Sequence, residues 1–237
     1  MIGLQLLLKV RRQRMRGQIL AFVVFVMSAG GRAFAQGPPP KIGPFALDLH
    51  LIVPKFGDDP QLAGSRGLTQ AELPGAGLGG SAAAHVYLPK IAGITLGLGV
   101  EAMIGRSSAS PQTTSTSPTR LRPVTEVFKG FSPQLSLNFG NGNGWSYLSV
   151  GIGRSVWSVV PESRAPLDVD EEPIRTISYG GGARWFAKKR LAFSLDVRVY
   201  EVDGGRPSLE LPSTPQSGPP GSPRTLLLVV GAGISVR

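Results

Sequence analysis

Eight stretches of this chain alternate apolar residues with small or polar ones, and short turns and long polar loops join them by turns. A period of two marks a strand with one apolar face, because successive side chains point to opposite sides. The stretches are 45–53 (FALDLHLIV), 78–88 (LGGSAAAHVYL), 94–105 (ITLGLGVEAMIG), 134–139 (QLSLNF), 146–157, 176–186 (TISYGGGARWF), 191–200 (LAFSLDVRVY) and 225–236 (TLLLVVGAGISV). The fourth is the weakest; an extension back to Val127, with a bulge near Pro133, is the alternative. In the fifth, placing Leu148, Val150 and Ile152 on the apolar row also turns Arg154 outward, which a bulge or a rim position would accommodate. All 21 prolines fall outside these bounds, as a ladder without a free edge requires.

The connections sharpen the picture. Short ones follow the second, fourth and sixth stretches, including GNGNG at 140–144, which is strong turn chemistry. Long ones follow the first, third, fifth and seventh, including 107–122 and 204–224. An even strand count with alternating short and long connections is the plan of a bacterial outer-membrane barrel. In lipid only a helix or a closed barrel can pair all its backbone groups. The predicted fold is all-β, an eight-stranded antiparallel up-and-down transmembrane β-barrel.

Soluble barrels share the alternation, so charge has to separate the two. On the seven stretches of clear parity the apolar row has 36 positions and no charged residue. The opposite row has 35 positions and five charges, Asp48, Glu101, Arg184, Asp196 and Arg198. A water-facing row would carry roughly 25–35% charged residues. The sparse row therefore faces inward, with Asp48, His50, His85, Glu101, Arg184, Asp196 and Arg198 forming a polar network inside the barrel. All seven lysines fall in the leader, loops or turns. Phe139, Trp145, Trp157 and Trp185 lie near strand ends and are expected at the membrane interfaces.

Ahead of the barrel, Arg11, Arg12, Arg14 and Arg16 precede the apolar run 19–27 (ILAFVVFVM), and Ala33-Phe34-Ala35 follows. That order reads as a cleavable signal peptide over 1–35, with Met15 the expected true start. A Pro-rich lead-in covers 36–44 and the barrel domain 45–237. The net charge of +10 owes six of its 25 basic residues and none of its 15 acidic ones to the leader, leaving +4 for the rest. No basic cluster marks a nucleic-acid face. With no cysteine, disulfides and thiolate metal sites are excluded.

One hairpin carries a family likeness. Tyr179-Gly-Gly-Gly-Ala-Arg-Trp-Phe186, then Leu191-Ala-Phe-Ser-Leu-Asp-Val-Arg198, resembles the penultimate hairpin of small OmpA-like outer-membrane barrels. The resemblance implies interior ion pairs among Arg184, Asp196 and Arg198, which a buried charge needs in any case. It also implies a terminal aromatic that the insertion machinery recognises, and here the chain departs, ending Ser235-Val236-Arg237.

Asp48, His50, Ser81 and His85 supply the residue types of a hydrolase, but Ser81 lies about 13 Å along its strand from His85, too far to be activated by it. Barrels that modify lipid A place chemistry near the outer rim, where the clear strands offer no histidine with serine or aspartate. The acidic run DVDEE at 168–172 lacks EF-hand spacing and is expected to be a solvated loop. The Gly-x-Gly pairs are followed by no helix, so they are not nucleotide fingerprints. The expected protein is a monomeric, non-enzymatic outer-membrane barrel with a structural or surface-interaction role and no cofactor or metal. Its expected partners are outer-membrane lipid including lipopolysaccharide and the barrel-assembly machinery. A narrow channel or lateral gate for small hydrophobic solutes is the alternative, because a general porin needs about 16 strands.

Overall fold

The computed structural model describes residues 41–109, 123–166, 170–205 and 223–237. The expected signal peptide, most of the lead-in and parts of three long loops lie outside these residues. The strands are β1 (Phe45–Lys55), β2 (Leu78–Tyr87), β3 (Ile94–Ala109), β4 (Val124–Asn141), β5 (Gly144–Pro161), β6 (Ile174–Phe186), β7 (Leu191–Val202) and β8 (Thr225–Val236). Each pairs antiparallel with its neighbours in sequence, and β1 closes on β8. Closure leaves no free edge, so every strand has a partner on both sides.

The register fixes the dimensions. Starting at Phe45 and stepping through cross-strand partners, the ladder passes Val86, Leu98, Leu135, Val150, Tyr179, Val199 and Leu228. It returns to β1 at Lys55, ten residues beyond its start. A stagger of that size over eight strands tilts them about 40° from the barrel axis. Ten residues at roughly 3.3 Å each, so tilted, rise about 25 Å, the height of the apolar band on outer-membrane barrels.

Three strands run well past that band. β3 has 16 residues and β4 and β5 have 18 each. The expected short fourth strand therefore becomes one of the two longest. Glu126, Lys129 and Pro133 hid its outer half, because they interrupt the apolar pattern while the ladder to β3 runs on unbroken. No bulge is present: Phe131↔Arg154 and Gln134↔Gly151 share one register. Pro133 has no pairing with β5 but still stands opposite Val100 of β3. Pro54 and Pro161 also lie in strands, near their outer ends, so the exclusion of all prolines from strands does not hold. Lys55 and Lys129 are likewise strand residues. β5 needs no bulge either, and Arg154 points outward and is exposed.

The β1–β2 connection is a small folded element. Helix α1 (Pro60–Ser65) starts at Asp59, whose carboxylate accepts from Gln61 N at 2.7 Å, and Pro60 suits the first helical turn. A single 3-10 turn (Gln70–Glu72) follows, where Glu72 accepts from Thr69 N at 2.7 Å and Thr69 Oγ1 at 2.9 Å. These caps spend the connection's polar groups on itself and free its apolar side chains to turn inward. Phe56, Leu62, Ala63, Leu68 and Leu73 are buried in one cluster with Ile52, Phe128, Trp157, Val159, Tyr200 and Leu227 from the outer ends of the strands. The loop fills the outer mouth.

Candidate functional site

The inward row carries a charged layer in the inner half of the barrel. Arg184 on β6 grips Asp48 on β1 with two bonds, Nε to Oδ1 at 2.8 Å and Nη2 to Oδ2 at 2.6 Å. Ser235 Oγ also donates to Asp48, and His85 Nδ1 lies 3.3 Å from its other oxygen. Arg198 on β7 reaches Asp196 at 3.2 Å and Glu101 at 3.3 Å. Tyr147 donates to Asp196 at 2.6 Å, and Tyr200 donates to Glu101. His50 Nε2 meets Ser194 Oγ at 2.7 Å. All seven residues expected in the interior are buried. Five charges out of water cost several kcal/mol each unless they are paired and hydrogen-bonded, which this lattice of contacts supplies.

Small residues make the room. A Cβ on Gly99 would stand 2.3 Å from the His85 ring, and one on Gly97 would stand 2.9 Å from the Tyr87 ring. The Gly-x-Gly pair is thus where two rings on β2 lie against the backbone of β3.

Two of the expected interfacial aromatics are inside. Trp145 and Trp157 are 3% and 5% exposed, whereas Phe139 and Trp185 face outward at 37% and 41%. Trp157 donates Nε1 to Glu126 Oε1 at 2.7 Å and meets Phe56 and Phe128 ring to ring. Trp145 stacks on Phe186, with ring centroids 5.1 Å apart, and lies 5.6 Å from the Arg184 guanidinium. Both sit one residue off the outward row, and the parity of β5 decides their side. Position near a strand end was a weaker signal than parity.

The lumen is therefore closed in layers. Ala46, Trp145 and Tyr147, backed by Ile42, Tyr87 and Phe186, fill the end near the short turns. The charged layer comes next, and the apolar cluster under the β1–β2 loop fills the outer end. The loop is latched there by Arg66, whose Nε donates to Asp170 Oδ1 at 3.0 Å. Asp170 also accepts from Val159 N at 3.1 Å and is 2% exposed. The acidic run is thus not simply solvated: Asp168 lies outside the described residues, but Asp170 is a buried anchor. Nothing in the sequence linked Arg66 to a residue 104 positions away.

His50 stands opposite Ser81 across β1 and β2 but its Nε2 meets Ser194 Oγ, and Asp48 is held by Arg184 and Ser235 beside His85. No group of three or more metal-ligating side chains converges among the described residues.

Outside, the apolar row meets the surroundings. Leu49, Leu51 and Phe193 are 61%, 68% and 66% exposed, within a belt that continues through Ile104, Phe131, Leu148, Ile152 and Leu226. An apolar belt of this extent on a monomer in water would be an aggregation surface; around a closed barrel of this height it is a lipid-facing wall. The fold and its belt define a small eight-stranded β-barrel of the outer-membrane type.

A solved structure shares that fold, and others align more loosely. Neisserial surface protein A aligns with a TM-score of 0.51 at 10% identity, over 82% of this chain and 97% of that one. Ail, the attachment invasion locus protein of Yersinia pestis, aligns at 0.43 with 11% identity over 81% and 97%. The outer membrane protein OprG from Pseudomonas aeruginosa aligns at 0.43 with 9% identity over 84% and 97%. No protein-family model matches this chain. No curated protein matches it.

Proposed function

We propose that this chain is an integral outer-membrane protein with a structural or surface-interaction role, anchored by its barrel and acting through its outer loops rather than through its lumen. The observation that carries this is the pairing of an apolar outer belt about 25 Å high with a lumen filled at both ends. The layered filling also speaks against the channel alternative, since a solute would have to displace the Arg66–Asp170 latch and then the charged layer. Lipid of the outer leaflet, including lipopolysaccharide, and the assembly machinery are the partners this reading implies, with a single barrel as the unit and no catalytic step.

The test begins with gel mobility of the membrane fraction with and without heating. A closed barrel migrates differently once boiled, and a chain recovered folded and monomeric from the aqueous phase without detergent would refute the reading. Planar-bilayer recordings of the reconstituted protein should stay silent; stable single-channel steps would move the assignment to transport.

A further inference from the structure

At the outer border of the apolar belt, four adjacent strands each turn one cation outward. They are Arg106 on β3, Lys129 on β4, Arg154 on β5 and Arg175 on β6, and all four are exposed. The register sets them at one height. Arg106 stands opposite Val127, two residues beyond Lys129, and Lys129 stands opposite Val156, two beyond Arg154. Arg154 stands opposite Arg175. Over these three steps the register falls four residues, while the stagger of the barrel, ten residues per circuit, raises it by about the same amount. The four side chains thus form a level crescent, with Ile104, Phe131 and Ile152 of the belt directly beneath, each more than half exposed.

Among the described residues the crescent has no ion-paired counter-charge. Arg154 and Arg175 are directly opposed across a strand pair, where Cβ atoms lie roughly 5 Å apart and like charges repel. No ion pair reaches any of the four cations among the described residues. The outward carboxylates on the next strand and beyond it, Glu201 and Asp203, are both engaged by Arg224. The rest of the tier is sparse: Lys55 stands alone on β1, and Leu78 and Leu226 face outward on β2 and β8. Above the crescent, Arg106 also lines a cleft of about 380 Å³ with Arg164, Thr125, Val160 and Glu162. Positive charge is concentrated on one side of the barrel, at the level where hydrocarbon gives way to headgroups.

We propose that this crescent is a binding site for a phosphate-bearing lipid headgroup of the outer leaflet, with the acyl chains lying along β3 to β6. Guanidinium groups bind phosphate through paired, charge-assisted hydrogen bonds. Four cations over three strand spacings, about 15 Å, suit a headgroup carrying more than one phosphate. The site rests on the membrane reading above and gives it a preferred lipid.

The test uses the full barrel, folded in zwitterionic detergent micelles and titrated with bisphosphorylated lipid A, with the same lipid stripped of phosphate, and with inorganic phosphate. The wild-type protein should retain the bisphosphorylated lipid roughly tenfold more tightly than the stripped form. Joint replacement Arg106→Gln, Lys129→Gln, Arg154→Gln and Arg175→Gln should remove that preference, while Lys55→Gln on the far side should change it by less than about twofold. Equal retention of the stripped lipid, unchanged binding by the fourfold variant, or inorganic phosphate bound as tightly as the lipid would overturn the site. Heat-shifted mobility on the same samples reports the barrel separately. A folded fourfold variant without the preference supports the site, whereas a wild-type chain that folds without detergent overturns the site and the membrane reading together.

Discussion

The most constrained single contact is Asp48 with Arg184. Both are about 2–4% exposed, and their bidentate pairing leaves no lone pair or proton idle on the facing edge. Removing one partner strands a buried charge, which typically costs about 3–5 kcal/mol. Asp48→Ala should therefore lower the unfolding free energy of the folded barrel in lipid, read from urea titration, by that amount, and the double change Asp48→Ala with Arg184→Leu should recover much of it. A single variant as stable as wild type would show that the pair is dispensable. The tryptophans give a second check at this scale. Of the three in the chain, only Trp185 faces lipid, so brominated lipid should quench a Trp185-only variant and spare variants retaining Trp145 or Trp157 alone. At the turn end, Arg237 spans two connections, donating to Lys189 O at 2.9 Å and to Gly142 O, with its guanidinium 4.1 Å above Phe186.

At the level of elements, the β1–β2 connection and the outer extensions of the three longest strands are what the hydrophobic pattern did not give. The connection looked like one more polar loop, yet Leu62, Leu68 and Leu73 are spaced by self-capped turns so that they enter one cluster. A few isolated apolar residues among polar ones carry no period, so only their common destination reveals them. Leu62→Ala should cost about 2–5 kcal/mol if the cluster behaves as a packed core. Because the loop is local, the expected readout is faster proteolysis within 56–77 on an otherwise closed barrel. Arg66→Ala should have the same local effect by freeing the loop from Asp170. Cleavage rates equal to wild type in both variants would mean that the latch does not hold the mouth. The outer half of β4 and the outer tips of β3 and β5 were hidden for a different reason: beyond the hydrocarbon both faces meet polar surroundings or packed loop, and alternation loses its meaning there.

For the whole molecule, closure is the organising fact. One stagger value sets the tilt, the belt height and the level of the charged tier, so a defect in closure should fail globally rather than locally. Gly99→Val makes the point, because its side chain would have to occupy the space of the His85 ring, 2.3 Å from where its Cβ would stand. The expected outcome is loss of the heat-shifted band, not a modest drop in stability; a normal band would show that the ring can move aside. The filled lumen makes the opposite prediction for current, since widening the mouth alone leaves the charged layer and the aromatic layer at the other end in place.

Strand number, alternation, antiparallel order and the row of side chains that avoids charge within the membrane belt were all legible along the chain. Those properties follow from a period of two and from the cost of ionised groups in hydrocarbon, and both can be counted along one dimension. Pairings such as Asp48 with Arg184, Arg66 with Asp170 and His50 with Ser194 were decided by tertiary structure alone. Each joins residues more than a hundred positions apart. The inward turn of Trp145 and Trp157 belongs to the same class. Register and stagger choose neighbours around a closed ring, and nothing local in the chain encodes who stands opposite whom after a full circuit.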